Sequence, residues 1–534
     1  MKNLRKKLKS IPRHIWLLLL IIVIGIFLRT WQLHNWLDFG SDQVNDATRV
    51  GDVITEKSPW PLLGPDMSNS GSGGRETRFH LGPMYYYFEI TSAKIFGNYP
   101  DRMAYPDTLF SILSIPLFYL FFKRYFSPNL SLAITALYTI SFYVLEFSHS
   151  AWNPNSIPFF VMLFLLSLHE LLVKKEKTDW WWVALAGISI GVGIQLHAIL
   201  LVLLPATAFF VFLYLFKKNQ CIWKKLTLVV LIAIIANFGQ IISEYRTGFN
   251  NTKIFFYSLN NQNHNGTGTL GGNFIEDANC HIQANGHILT SLGKDDCTFL
   301  TGIKWKKTSW LFRGDLLLCL LFSLFGYWTL IHNWRREKEK GKKYFLALLA
   351  LYIPLSFLVL LPVIDVQLRY FLHAAFIPFI FLGFLVEWLA VRFPRKNLQL
   401  AVIIFCLIAL ANIISLYPIA YQYATGSRSS PEAVVLGDVE LMSNYMIGQA
   451  YPQKEAYLFS DANHSNFFKS FIYVGQKKNF IFFREYDDKA EIPSGTPIFY
   501  ITYSTENDAP ASINNKKVED YKNFGQVGIF QLEN

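Results

Sequence analysis

Charged side chains are scarce in this sequence: Asp, Glu, Lys and Arg make up 16% of its 534 residues, whereas a soluble chain carries about a quarter to keep its surface wet. That deficit excludes an ordinary water-soluble globule. Cysteine is scarcer still, five in all, too few for a disulfide-dense secreted scaffold. No internal repeat or long low-complexity tract stands out. The basic residues exceed the acidic ones, giving a net charge of +11, but they are scattered over short segments without interleaved stacking aromatics, so a nucleic-acid groove is excluded.

What is abundant is apolar, 52% of the chain, with a mean hydropathy of +0.26. The apolar residues fall into runs of roughly twenty, the length of a helix that crosses a hydrocarbon core of about 30 Å. Runs near 15–31, 104–122, 129–147, 157–173, 180–197, 199–216, 226–243, 310–332, 344–363, 371–391 and 400–417 predict about eleven spans. Lys2, Arg5, Lys6, Lys7 and Lys9 hold the N-terminus inside. No small-residue cleavage site follows the first run, which reads as an uncleaved anchor. Counting from there, Lys123-Arg124, Lys174-Lys175, Lys217-Lys218, Lys224-Lys225, Arg335-Arg336 and the cluster Arg392 to Lys396 all fall inside, as the positive-inside rule requires.

The expectation is an α-helical polytopic membrane protein of the cytoplasmic membrane, its membrane part covering residues 1–420 with outer loops at 32–103 and 244–309. The tail, 421–534, alternates apolar runs with helical patterns and reads as a small extracytoplasmic α/β domain. It contains no nucleophile elbow, P-loop or metal-ligand spacing. Cys221, Cys319 and Cys406 lie in or beside spans and read as small apolar fillers. Cys280 and Cys297 share an outer loop, where a disulfide is expected, the alternative being two free thiols.

The chemistry concentrates on the outer side. From Ser41, a plausible N-cap, helical spacing lines up Val44, Ala47, Val50 or Gly51, and Ile54, with Asp42, Asn45, Asp46 and Arg49 on another face. Such a helix lies at the interface; its carboxylates either serve catalysis or are simply solvated. Arg75, Arg78 and His80 precede Tyr85-Tyr86-Tyr87, a cationic site beside an aromatic belt that suits a lipid phosphate. Polar groups then recur at the outer ends of spans: Asp107, Glu146 with His149, Asn153 to Asn155, Gln195 with His197, Glu244, Asp365, and Arg369 with His373. A sugar esterified to a lipid phosphate is already activated. Its transfer needs a carboxylate to take the acceptor's proton and cations to stabilise the departing phosphate. A nucleotide-sugar donor would call for a sizeable inside domain, which is absent.

The order of these motifs over about residues 10–420 resembles the GT-C membrane glycosyltransferases, in the branch of protein O-mannosyltransferases, aminoarabinose transferases and RgtA/B/C/D-like enzymes. Asp42 matches the first acid of the family's Asp-Glu pair, His80-Leu81-Gly82-Pro83-Met84 resembles its carrier-phosphate segment, residues 187–197 resemble its Gly-rich span ending in Lys or His, and Arg369-Tyr370 with Pro378 resembles its late Arg-Tyr…Pro segment. The resemblance implies an outward active site, a polyprenyl-phosphate sugar donor and an inverting transfer to a lipid, glycan or protein hydroxyl. It makes Asp42 the expected base, with Asp46 the alternative. Arg78, His80 and Arg369 are expected to bind the donor phosphate, and Tyr85, Tyr86, Glu146, His149, Asn155 and His197 to line the cleft. No cofactor is implied with certainty, and a divalent metal is left open. Gln43 and Asn155 stand where acids are usual. The rival expectations are a transporter or flippase of lipid-linked sugars and a non-catalytic envelope-assembly protein. Trp180-Trp181-Trp182-Val183 departs from the Trp-Trp-Asp-Tyr-Gly signature of oligosaccharyltransferases.

Overall fold

The computed structural model of the chain describes residues 12–67, 78–173, 180–218, 222–260, 270–292, 297, 310–361, 366–425, 429, 434–460, 466–484, 492–503, 510–514 and 516–534. Each predicted span has a counterpart there. Among the described residues seven helices are long and apolar enough to cross a bilayer on their own, including Arg13–Thr30, Pro100–Phe122 and Asn397–Tyr421. Three further pairs of helices are apolar enough to cross when taken together but are bent at a short break: Pro128–Ile140 with Phe142–His149, Ile222–Ala236 with Phe238–Arg246, and Leu368–Ala374 with Ile377–Arg392, at angles of 55°, 66° and 62°. Trp180–Gly193 is a shorter apolar helix. The chain is a multi-pass membrane protein.

The bends have local causes. At the second, the Asn237 amide donates to the carbonyls of Gly191 (3.0 Å) and Ala233 (2.8 Å), so backbone groups at the break are satisfied without water, as a bilayer demands. This side chain reaches Gly191 because the two helices nearly touch. A Cβ on Gly191 would lie 3.0 Å from Ala233 Cα, and one on Gly187 would lie 3.2 Å from Val229 Cα, the small-residue contact by which apolar helices associate in lipid. Near the end of the first span the cation Arg29 is buried and donates to Ser111 Oγ (2.8 Å) and the Thr139 carbonyl (3.1 Å).

The segment 244–309, expected as a loop, is largely helical where described. Asn250–Asn260 is followed by Leu270–Thr290, and Cys280, Ala284 and Ile288 of the second helix join the main core of the bundle. Cys280 and Cys297 are disulfide-bonded, with Cα atoms 5.3 Å apart. Hydrophobic patterning misses this helix because it buries Glu276, Asp277, Asn279, His281 and Asn285 as well.

The tail folds into a six-stranded sheet of order β4-β3-β5-β8-β7-β6. The strands are β3 (Glu455–Ser460), β4 (Ile481–Arg484), β5 (Ile498–Tyr503), β6 (Ser512–Ile513), β7 (Lys516–Phe524) and β8 (Val527–Leu532). The first three are parallel and the rest antiparallel. A hairpin of β1 (Asp66–Met67) and β2 (Phe79–His80) lies in the 32–103 segment. The tail is no loose appendage. Val44, Ala47 and Val50 of the Ser41–Ile54 helix and Ile90 of the Met84–Phe96 helix share one core with Val439, Met442, Phe467 and Phe471 of the tail. Backbone bonds lock the same junction: Asp38 N–H donates to the His149 carbonyl (2.9 Å), Phe39 N–H to Val434 (2.7 Å) and Leu436 N–H to Leu37 (2.9 Å).

At the rim of this junction His34 lies between Asp101 (3.3 Å) and Glu440 (3.0 Å), the latter on the tail helix Leu436–Ala450. Hydrogen bonding to Asp101 and then to Glu440 raises the His34 pKa from 6.5 to about 9. A raised histidine stabilises the fold fully below about pH 6.5, and that contribution is lost as pH climbs through about 9. The midpoint of thermal unfolding should therefore fall between about pH 7 and about pH 10, and His34→Gln should fall less; an identical fall in both would remove His34 as the cause.

Candidate functional site

The N-cap of the Ser41–Ile54 helix is Gly40, and Ser41, expected as the cap, is its first helical residue. Its buried stripe is Gln43, Val44, Asp46, Ala47, Val50 and Val53, a spacing of three and four that turns one side inward. Asp46 therefore belongs to the buried face, contrary to the pattern read from Val44 onward, while Asp42, Asn45 and Arg49 stay on the open side. Tyr86 donates to Asp46 Oδ1 at 2.7 Å. Burial lifts the Asp46 carboxyl to about 7 even though the Tyr86 hydrogen bond pulls it down, with the neighbouring charge of Asp42 adding to the rise.

Tyr85 and Tyr86 extend this carboxylate into a buried network. Tyr85 donates to Asp107 Oδ2 (3.2 Å) and is hydrogen-bonded to Glu89. Asp107 accepts from Ser156 Oγ (2.8 Å) and from the Trp152 N–H (3.3 Å). Glu89 is 1% exposed, and its Oε2 has no hydrogen-bond partner among the described residues. Burial first, then the charges of Asp46 and Asp107, drives its carboxyl well above the usual range. Glu89 escapes a reading of the sequence; its signal is a lone acid inside an aromatic helical run, four residues after Tyr85 on the same face.

The carrier-type segment is held rigidly. His80 N–H donates to Asn251 Oδ1 (2.7 Å), and the Asn251 amide returns a bond to the His80 carbonyl (2.9 Å). Nδ1 of His80 faces the Gly64 carbonyl at 3.1 Å, which assigns it a proton and turns Nε2 to the opposite side of the ring. Met84 N–H donates to Gln195 Oε1 (3.1 Å), while the Gln195 amide caps Gly191 (2.7 Å) and Ala236 (2.9 Å). Gln195 thus stitches the His80 segment to two spans.

Asn153 then ties the stretch before the Ile157–Val173 helix to the Leu196 carbonyl (2.5 Å). Arg369 stacks over the rings of Trp152 (5.4 Å) and Tyr370 (5.7 Å), and the ring of His197 meets Tyr370 at 5.5 Å. His80, Tyr85, Tyr86, Asp107, His197 and Arg369 are thereby linked, through Gln195, Asn153 and Trp152, at the end of the bundle that carries the sheet.

Three expected residues are placed differently. Arg78 is paired with Asp66 (2.8 Å) on the hairpin, both side chains close to two-fifths exposed. Glu146 ends a short helix, and His149 closes the 3-10 turn Phe147–His149 that follows it. His149 is buried, its ring tilted against that of Trp36 with centroids 4.4 Å apart, and its Nε2 is 3.2 Å from the Trp31 carbonyl. Asn155 donates to the Ser150 carbonyl (2.7 Å) and lines a small internal cavity with Ser111, Ser114 and Tyr138. Arg75 and Asp365 lie outside the described residues. Among the described residues no group of three or more His, Cys, Asp or Glu is placed to share a metal ion.

These features define a multi-pass membrane protein with a polar, carboxylate- and cation-bearing site at one end of its bundle. Residues 80–239 match the family model of dolichyl-phosphate-mannose-protein mannosyltransferases. ArnT from Cupriavidus metallidurans, solved with undecaprenyl phosphate, superposes with a TM-score of 0.53 at 11% identity, over 97% of this chain and 98% of that one. The oligosaccharyltransferase of Archaeoglobus fulgidus gives 0.49 at 14% identity over 86% of this chain, which spans 63% of the archaeal protein's length. No curated protein sequence matches. In fold the chain is similar to ArnT, and the family model matches within the same membrane part.

Removing the Gln195 amide takes a partner from the Met84 N–H and the Ala236 carbonyl, while the Gly191 carbonyl keeps its bond from Asn237. Gln195→Leu should cost about 1–3 kcal/mol of stability and speed amide hydrogen exchange at Met84. Wild-type exchange there would show that the His80 segment is held by other means.

Proposed function

We propose that the protein transfers a sugar from a polyprenyl-phosphate carrier to an acceptor hydroxyl, on a lipid, glycan or protein, at the outer face of the cytoplasmic membrane. The observation that carries this reading is the chain of contacts that joins His197 and Arg369, through Tyr370 and Trp152, to the buried carboxyl of Asp107, in a chain whose fold is similar to that of ArnT. The ligands of the structural neighbours agree with it: ArnT was solved with undecaprenyl phosphate, and the archaeal enzyme AglB with dolichol-phosphate.

In the proposed reaction the acceptor oxygen attacks the anomeric carbon, the bond from that carbon to the phosphate oxygen breaks, and the phosphate leaves with the electron pair. Asp42, on the open side at the start of its helix, takes the acceptor's proton. Asp42 faces the open side, where an acceptor can reach it, whereas Asp46 is buried and already accepts the Tyr86 hydroxyl, with its carboxyl lifted to about 7; it is the alternative base. His80 and Arg369 meet the charge that develops on the phosphate. Arg78 would join them only by exchanging Asp66 for the carrier. His197 and Tyr370 line the donor side, and Tyr85 and Tyr86 act from below by holding the carboxylates. Glu146 and Asn155 bound the cleft, and His149 supports it by fixing Trp36.

The test is sugar transfer in vesicles loaded with polyprenyl-phosphate sugars. Asp42→Asn should lower turnover by about 10²-fold or more, the usual loss for a general base, while Asp46→Asn keeps most activity. Full activity in Asp42→Asn with loss in Asp46→Asn would move the base to Asp46. Arg369→Ala should raise KM for the carrier, and carrier movement without any glycosylated product would replace transfer by transport.

A further inference from the structure

The helix that follows the bend at Asn237 is built inside out. A helix on a protein surface in water buries its apolar side. In Phe238–Arg246 the buried residues are Gly239, Ser243 and Glu244, while Phe238 (61% exposed), Ile241 (44%) and Tyr245 (83%) form the outward stripe. Phe249 and Phe256 extend it into the next helix, Asn250–Asn260. An exposed apolar stripe of this length marks a docking surface.

Two observations identify what covers it. The stripe continues directly from Ile234 and Ile235, exposed apolar residues at the end of the Ile222–Ala236 helix, whose neighbour in a membrane is hydrocarbon. The 66° bend then turns the helix away from the span's direction, as expected of a segment running along the bilayer surface. The flanks carry the chemistry of the headgroup layer: Arg246 is exposed and Lys253 lies on the next helix, and Lys94 Nζ sits 4.8 Å over the ring of half-exposed Trp60. Aromatic and cationic side chains are the anchors of that layer.

The polar back of the same elbow supports the candidate site. Asn251 makes both backbone bonds to His80. Gly239 leaves room for Pro83 and Tyr87, since a Cβ there would come within 2.9 Å of each. We propose that Phe238–Arg246 and Asn250–Asn260 dock on bilayer lipid, lying flat in the headgroup layer of the leaflet at the sheet-bearing end, and that this docking sets the depth of the His80 hairpin.

The test uses the full chain with Cys221→Ser, Cys319→Ser and Cys406→Ser, reconstituted in phosphatidylcholine–phosphatidylglycerol vesicles, with an environment-sensitive fluorophore on Ile241→Cys or Tyr245→Cys. Nitroxides near the lipid headgroup should quench the probe several-fold more than nitroxides deep in the acyl chain or aqueous iodide. Quenching by iodide alone would overturn the proposal. So would disulfide cross-linking between copies of the unlabelled Ile241→Cys chain without lipid quenching of the labelled one, which would make the face a dimer contact. The coupling has its own readout. Ile241→Ser with Tyr245→Ser should raise hydrogen exchange several-fold at residues 79–81 in vesicles, and unchanged exchange there would sink the proposed control of hairpin depth.

Discussion

Within hydrocarbon, a backbone amide or carbonyl has no water to turn to, and leaving it unpaired costs several kcal/mol. Every interruption of a helix in this bundle therefore needs a side chain to close it. Asn237 closes one, Gln195 bridges Gly191, Ala236 and Met84, and Asn412 donates to Leu289 while accepting from Ser291 and from the Phe142 N–H. These amides cluster toward the sheet-bearing end. The candidate site lies where the helices are broken, and Gln195, which closes one break, also holds the Met84 end of the His80 segment.

The same scarcity of water shapes the carboxylates. Asp46, Glu89 and Asp107 are buried within reach of one another's charge, an arrangement that resists holding three negative charges at once. Tyr85 and Tyr86 donate into it and limit the cost. Asp42, one turn away, lies on the open side of its helix, and its charge adds to the rise of Asp46.

Much of this is legible in the amino-acid sequence. The positions of the spans follow from the length of apolar runs, and the β-rich tail from alternation. The motif residues near His80, His197 and Arg369 can be picked out, though not their links, because Gln195, Asn153 and Asn251 look like ordinary polar residues until their partners are in place. Spacing from Val44 puts Asp46 on the wrong side of its helix, since the stripe that decides the matter includes Gln43, a polar residue on a buried face. Glu89 is hidden inside a tyrosine-rich run. The Leu270–Thr290 helix looks like loop because its burial rests on side-chain pairing rather than hydropathy: Asn285 donates to Ser323, and His281 pairs with Tyr327.

The core shared by the Ser41–Ile54 helix and the tail has a temporal consequence. A chain emerging from the ribosome presents residue 41 early and the Phe467 region late, and N-terminal parts ordinarily settle first. Here the early helix cannot complete its packing until Val439, Met442, Phe467 and Phe471 arrive. The spans made before these residues can therefore enter the membrane while the packing of the Ser41–Ile54 helix is still incomplete.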